Sequence, residues 1–233
     1  MKTGIMQPYL FPYLGYWQLV ASVDKFVVLD NVQYSKGGWY NRNYILINGS
    51  PSVFTLSLKK DNYTLNINER LLSPLAGFEI KKTIKKIKST YGKAPYYDEI
   101  SESVFDILNY QTMNLFDYIF NSLETICKIL NLSADLMISS DLDIDSSLQG
   151  KERVFSICKY LNTEVYINAP GGIALYDKGE FQKHNIELEF IKMNNIKYKQ
   201  FNNTFVPNLS IIDVLMFNGV AETRRLLQEY SLV

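Results

Sequence analysis

The sequence predicts an α/β fold in which a mostly parallel sheet is flanked by helices, with a helical insertion over residues 71–131 and a β-hairpin before it. Three observations carry this reading. Short apolar runs bounded by charged or turn residues, Phe26-Val27-Val28-Leu29 the clearest, are how strands buried on both faces read. Between such runs apolar residues recur at helical spacing, and the alternation of the two patterns is that of βαβ units. An Asn48-Gly49 pair between two β-rich runs adds the hairpin.

Taken in order, residues 3–6 form a first strand, which ends near Gln7 because Pro8 and Pro12 lack the N–H that a ladder needs. The chain turns at Gly15, and Trp17, Leu19, Val20 and Val23 make a short helix against that strand. Residues 26–29 are the second strand and complete a βαβ unit, whose ligand end lies beyond the carboxyl ends of its strands, at residues 7–12 and 30–34. Residues 44–47 and 53–58 are the hairpin strands, with Pro51 expected to lengthen the loop between them. Over 75–91, Ile80, Ile84, Ile87 and Tyr91 line one face of a helix whose outer face carries Lys81, Lys82, Lys85, Lys86 and Lys88. Helices over 97–110 and 112–131 follow, the second with Leu115, Ile119, Leu123, Ile126 and Leu130 turned inward.

A strand over 135–142, a helix over 151–161 and a strand over 165–168 make a second βαβ unit, which leaves the sheet at Ala169-Pro170-Gly171-Gly172. A helical turn at 180–183, closed by His184 as a surface capping residue, leads to a strand over 186–191, and residues 198–201 are expected to form a last short strand. Ser210 caps a helix over 211–217, and Gly219 separates it from another over 220–230. A chain of 233 residues buries about 70–75% of its unfolded surface in one core, and no repeat or linker divides it. One α/β domain over residues 1–233 is therefore expected, Rossmann-like in its sheet.

Composition narrows the function. Lys+Arg and Asp+Glu number 24 each, so there is no overall field to draw in nucleic acid or an anionic membrane. The lysine face of the 75–91 helix has no interleaved arginine and reads as solvated. No run approaches the roughly 18 apolar residues of a membrane span, and the N-terminus lacks a signal pattern, so a cytoplasmic protein is expected. Cys127 and Cys158 fall on apolar helical stripes and read as core; with a single histidine, His184, no metal centre is expected.

The densest chemistry lies between Gln7 and Asn43, where aromatic and amide side chains crowd turn positions. Asp30, at the end of a buried strand, is the candidate general base, with Tyr34 at the same strand exit. Lys36 and Arg42 are candidates to clamp a diphosphate, Arg42 bidentately. Tyr9, Tyr13 and Trp39 offer flat faces for a sugar or base, and Gln7, Gln33, Asn41 and Asn43 offer partners for hydroxyls. Gly171 and Gly172 leave backbone N–H groups for an oxyanion, and Asp213, in the first turn of its helix, is expected to face the same site. Burying that many polar groups without a partner is costly, which argues for a site over an aromatic structural loop.

Four segments carry a resemblance. QPYLFPYLGY, DKFVVLDNVQYSKGGWYNRN, YINAPGGIALYD and FVPNLSIIDVLMFNG together resemble, in order and at both ends of the chain, the WbqC-like protein family of bacterial polysaccharide gene clusters. The resemblance implies a role in O-antigen or capsule assembly, as an N-acyltransferase that moves glycine or another acyl group onto a nucleotide-linked amino sugar. The implied partners are that nucleotide sugar and an acyl or aminoacyl thioester donor, in one version presented by an acyl carrier protein. Two alternatives stay open. Tyr13-Leu14-Gly15-Tyr16 occupies the place where nucleotidylyl-transfer enzymes of the HxGH type carry two histidines, which points to an ATP-dependent amide ligase, although neutral phenols do not stabilise phosphate charge as imidazolium does. The other is a non-catalytic nucleotide-sugar binding protein.

Overall fold

The computed structural model describes residues 1–201 and 204–233. Strand β1 (Lys2–Met6) leads through α1 (Leu14–Ala21) to β2 (Lys25–Val28). A hairpin of β3 (Arg42–Ile47) and β4 (Ser50–Thr55) comes next, then helices α2 (Ala76–Tyr91), α3 (Tyr97–Leu108) and α4 (Leu115–Ile129). Strand and helix then alternate through β5 (Asp135–Ile138), α5 (Gly150–Tyr160), β6 (Val165–Asn168), α6 (Lys178–Gln182) and β7 (Glu187–Met193), before α7 (Ile211–Leu226) and β8 (Tyr230–Leu232).

The main sheet has the order β5-β2-β1-β6-β7-β8. Its first five strands are parallel, and β8 lies antiparallel on β7. Because the chain works outward from β1 in one direction to β2 and β5, and then in the other to β6 and β7, the order reverses between β1 and β6. Their carboxyl ends, at Gln7 and Asn168, flank the crevice where such sheets take ligands.

Period-two alternation sorts the strand residues between two layers. Phe26, Val28, Ile167 and Ile191 enter the larger apolar cluster with α1, α7, the hairpin and α2 to α4, whereas Ile5, Val27, Tyr166 and Leu188 pack with α5 and Phe181 on the other side. The sheet is thus covered on both faces, which is why its strands read as unbroken apolar runs. Cys127 and Cys158 lie buried and unpaired in these two clusters, and burial pushes each thiol up to about 12. Both are core residues.

Three expectations need correction. Pro51 does not lengthen the hairpin loop: it pairs with Leu46 inside β4, and Asn48 and Gly49 alone make the turn, both at positive φ (51° and 75°). An isolated two-stranded ribbon has free edges on both sides, so a strand proline costs no ladder bond there. Residues 198–201 are not a strand, and the last strand is β8, whose first residue, Tyr230, falls within the helix expected over 220–230. Finally, β5 stops at Ile138, where a single turn of 3-10 helix, Ser139–Asp141, begins.

Candidate functional site

The loop after β1 is fixed in an unusual shape by residues from distant elements. Phe11 adopts positive φ (47°), and its carbonyl accepts hydrogen bonds from Asn43 Nδ2 (2.5 Å) and Ser210 Oγ (3.0 Å), while the same amide reaches the Leu10 carbonyl (3.0 Å). The buried Asn43 side chain therefore staples the proline-rich turn to the hairpin, and Ser210 staples it to the start of α7. A backbone bond from Leu10 N to Trp39 O brings the loop after β2 alongside.

The result is a cluster of rings at the carboxyl edge of the sheet. Tyr9 stacks on Trp39 with centroids 5.9 Å apart and planes 26° off parallel; Tyr13 lies 6.3 Å from Tyr9, and Tyr44 lies 5.4 Å from Trp39. With Pro51, Pro207 and Leu209 these rings frame an open hollow of about 680 Å³. Trp39 and Tyr44 remain 37% exposed, an unusual surface to leave wet unless something covers it. Burial raises the pKa of Tyr9 and Tyr13, so both phenols stay protonated and available as donors. The Arg42 guanidinium lies 5.1 Å from the Trp39 ring centroid and donates to the carbonyls of Gly38 (3.1 Å) and Gly37 (2.8 Å). These bonds hold the loop that carries Trp39, and Lys36 of the same loop is exposed.

A second hollow, of about 460 Å³, opens where the loop after β2 faces the start of α5, and Asn31, Gln33, Asn66, Gln149, Gly150 and Arg153 are among its walls. Beneath it sits Asp30, only 1% exposed. Its carboxylate accepts from Ser139 Oγ (2.9 Å), Ser140 N (2.9 Å) and Asn68 Nδ2 (2.7 Å). The single Ser139 hydroxyl proton is shared with Asn31 Oδ1 (2.5 Å), which also accepts from Arg153 Nη2. One network thus ties the exits of β2 and β5 to α5. Asp30 itself lines neither hollow, and its hydrogen bonds are spent on joining these segments.

The remaining expected residues divide as follows. Gln7 Oε1 accepts from Tyr40 OH (2.8 Å), and Tyr34, its pKa raised by burial, donates to Asn41 Oδ1 (3.2 Å) while Asn41 Nδ2 bonds Leu56 O (2.7 Å). None of these side chains is among those that line the two hollows. Gln33 lines the second one and bonds Tyr63 O (3.1 Å). Gly171 and Gly172 lie at the same sheet edge but line neither hollow: they close a 3-10 turn in which the Gly172 amide donates to Ala169 O (2.9 Å), so that N–H is not free for an oxyanion. Asp213 does not face the site. It is sealed in the core, where Tyr91 OH (2.8 Å), Tyr198 OH (2.7 Å) and Gln200 Nε2 (2.7 Å) surround its carboxylate. The chain does not turn at Gly15: Tyr13 precedes α1, Leu14 to Tyr16 are its first helical residues, and Tyr16 is buried in the core.

Sequence reasoning missed Tyr44, Asn31, Asn66 and Arg153. Arg153 alone left a signal: it stands one residue before Val154 and four before Ile157, against the buried stripe of its helix, where a charge needs a reason. At the opposite edge of the sheet a third hollow, about 630 Å³, holds His184, whose exposed ring lies 4.4 Å from that of Phe155 and tilted by 33°. Among the described residues there is no cluster of His, Cys, Asp and Glu suited to a metal ion, and no helix long and apolar enough to cross a membrane.

The model of the WbqC-like protein family matches residues 7–225. An uncharacterized protein of Mycobacterium tuberculosis is 30% identical over 226 residues, which cover 95% of each chain. No solved structure matches.

Proposed function

This chain belongs to the WbqC-like protein family, and on that premise we propose that it binds a nucleotide-linked amino sugar and transfers an acyl or aminoacyl group, of the glycine type, to the sugar's amino nitrogen in bacterial surface polysaccharide (O-antigen) assembly. The observation that carries the binding half is the ring cluster of Tyr9, Tyr13, Trp39 and Tyr44 around a hollow of about 680 Å³. Partly exposed indole and phenol faces stack on the C–H face of a pyranose or on a base, and their polar ends bond hydroxyls. The acyl-transfer half rests on the family resemblance alone.

In the proposed step the amine nitrogen attacks the thioester carbonyl carbon. A C–N bond forms, the C–S bond breaks, and the amine's proton ends on the departing sulfur, so no net base is consumed. Holding the two reactants in line is then the protein's main contribution. Asp30 serves this by fixing Asn31 and the β2 exit.

Incubation with nucleotide-linked 4-amino-6-deoxysugars and aminoacyl or acyl thioesters, with and without ATP, tests the reading by mass. A thioester-dependent gain on the sugar is expected. A gain that needs ATP and releases AMP would replace the reading with an amide ligase, and binding with no gain would leave a binding protein. Trp39→Ala is expected to raise KM for the nucleotide sugar about tenfold or more at little cost to folding; an unaltered KM would remove the aromatic hollow from the site.

A further inference from the structure

We propose that the second hollow, at the start of α5, is a subsite for the phosphate ester of a substrate. The inference rests on the transferase reading only for which substrate carries that group. Two independent features converge on the hollow. The first is the N-terminus of α5, an 11-residue helix whose first N–H groups have no acceptor inside the helix and receive no side-chain cap from Gln149. Gly150 opens the helix at φ +53° with nothing within 4 Å of where a Cβ would stand, so the backbone there is bare to an incoming group. Such a helix start favours an anion through both its free N–H groups and its dipole.

The second is Arg153. It lines the hollow, is only 5% exposed, and forms no ion pair among the described residues. Two of its nitrogens are held by Asn31, through the main-chain carbonyl (3.2 Å) and Oδ1, but Nε–H has no acceptor. The nearest carboxylate acting on this guanidinium, Asp30, lies beyond ion-pair distance and is relayed to it only through Ser139 and Asn31, so the arginine has no direct counter-ion and an anion in the hollow would supply one. The neighbouring Lys151 is engaged with Glu180 (2.7 Å), and Glu152 is not among the residues that line the hollow. The amides of Asn31, Gln33 and Asn66 supply further donors. The chemistry is that of a phosphate or diphosphate ester, which both a nucleoside diphosphate sugar and a coenzyme A-type thioester contain.

Calorimetric titration of the whole protein with inorganic pyrophosphate tests the subsite. Binding is expected in the wild type, about tenfold or more weaker in Gln149→Glu and in Arg153→Met. Gln149 is exposed, so Gln149→Glu leaves the fold intact and sets a carboxylate against the incoming anion; Arg153→Met is compared only after its melting temperature shows a folded protein. Displacement of pyrophosphate by uridine diphosphate assigns the subsite to the nucleotide sugar, and displacement by coenzyme A alone assigns it to the donor. No pyrophosphate binding, or equal binding in Gln149→Glu, overturns the subsite. Sugar acylation without pyrophosphate binding would overturn the subsite and leave the transferase reading standing. Pyrophosphate binding that both variants weaken, without acylation under any condition, would do the reverse.

Discussion

At the scale of single residues, carboxylates and amides that a sequence marks as chemical turn out to hold the fold. Asp213 is the clearest. Its oxygens accept from Tyr91, Tyr198 and Gln200, so one buried carboxylate joins α2, α7 and the segment before α7. In Asp213→Asn one oxygen becomes a donor that faces donors, which is expected to cost about 1–3 kcal/mol in urea denaturation at neutral pH. The pH dependence has a definite sign. Burial raises the Asp213 pKa above 3.8 although its three donors oppose the rise. The folded state then binds this proton more tightly than the unfolded chain, so that contribution is fully present below pH 3.8 and is lost as pH climbs through the raised value. The stability gap between wild type and Asp213→Asn is therefore expected to narrow with rising pH across that window, and a widening gap would contradict the assignment.

At the scale of elements, short connections decide what faces what. Gly219 stands at φ 68° where α7 kinks, and a Cβ there would meet the Tyr96 ring at 2.5 Å. The kink lets the first half of α7 reach the ring cluster, through Ser210 and Phe11, while the second half lies near α1, where Gln18 Nε2 bonds Leu226 O at 3.0 Å. Gly219→Ala combines a left-handed backbone with a steric clash and is expected to destabilise by more than about 1 kcal/mol, read as a lower melting temperature. A neutral result would mean that Tyr96 yields freely. The hairpin works in the same way: its two-residue turn sets a register in which Asn43 points inward to the β1 loop while Tyr44 points out to the hollow.

At the scale of the whole molecule, one apolar cluster joins a sheet face to α1, α7, the hairpin and helices α2 to α4. Residues 71–131 thus share packing with the sheet, and a single cooperative unfolding transition is expected. Coincident urea curves from tryptophan fluorescence, which reports on buried Trp17 and on Trp39, and from far-ultraviolet circular dichroism would agree with it. Two separated transitions would show that the helical segment folds by itself.

The sequence by itself determined the class of fold, the order of most elements, the core positions of both cysteines and the stretch where aromatic and amide groups meet. These depend on periodicity, proline and glycine, which act within a few residues of chain. Only the tertiary structure decided which polar groups are spent on the fold and which face open space. Asp30, Asn43 and Asp213 have the residue types of a reactive site, yet donors or acceptors from remote elements satisfy them, while Tyr44 reaches its hollow through a hairpin register and a loop packing that no local pattern records. The physical reason is that a hydrogen bond is a contact in space, and its partner at a distance in sequence leaves no mark on the residues around it.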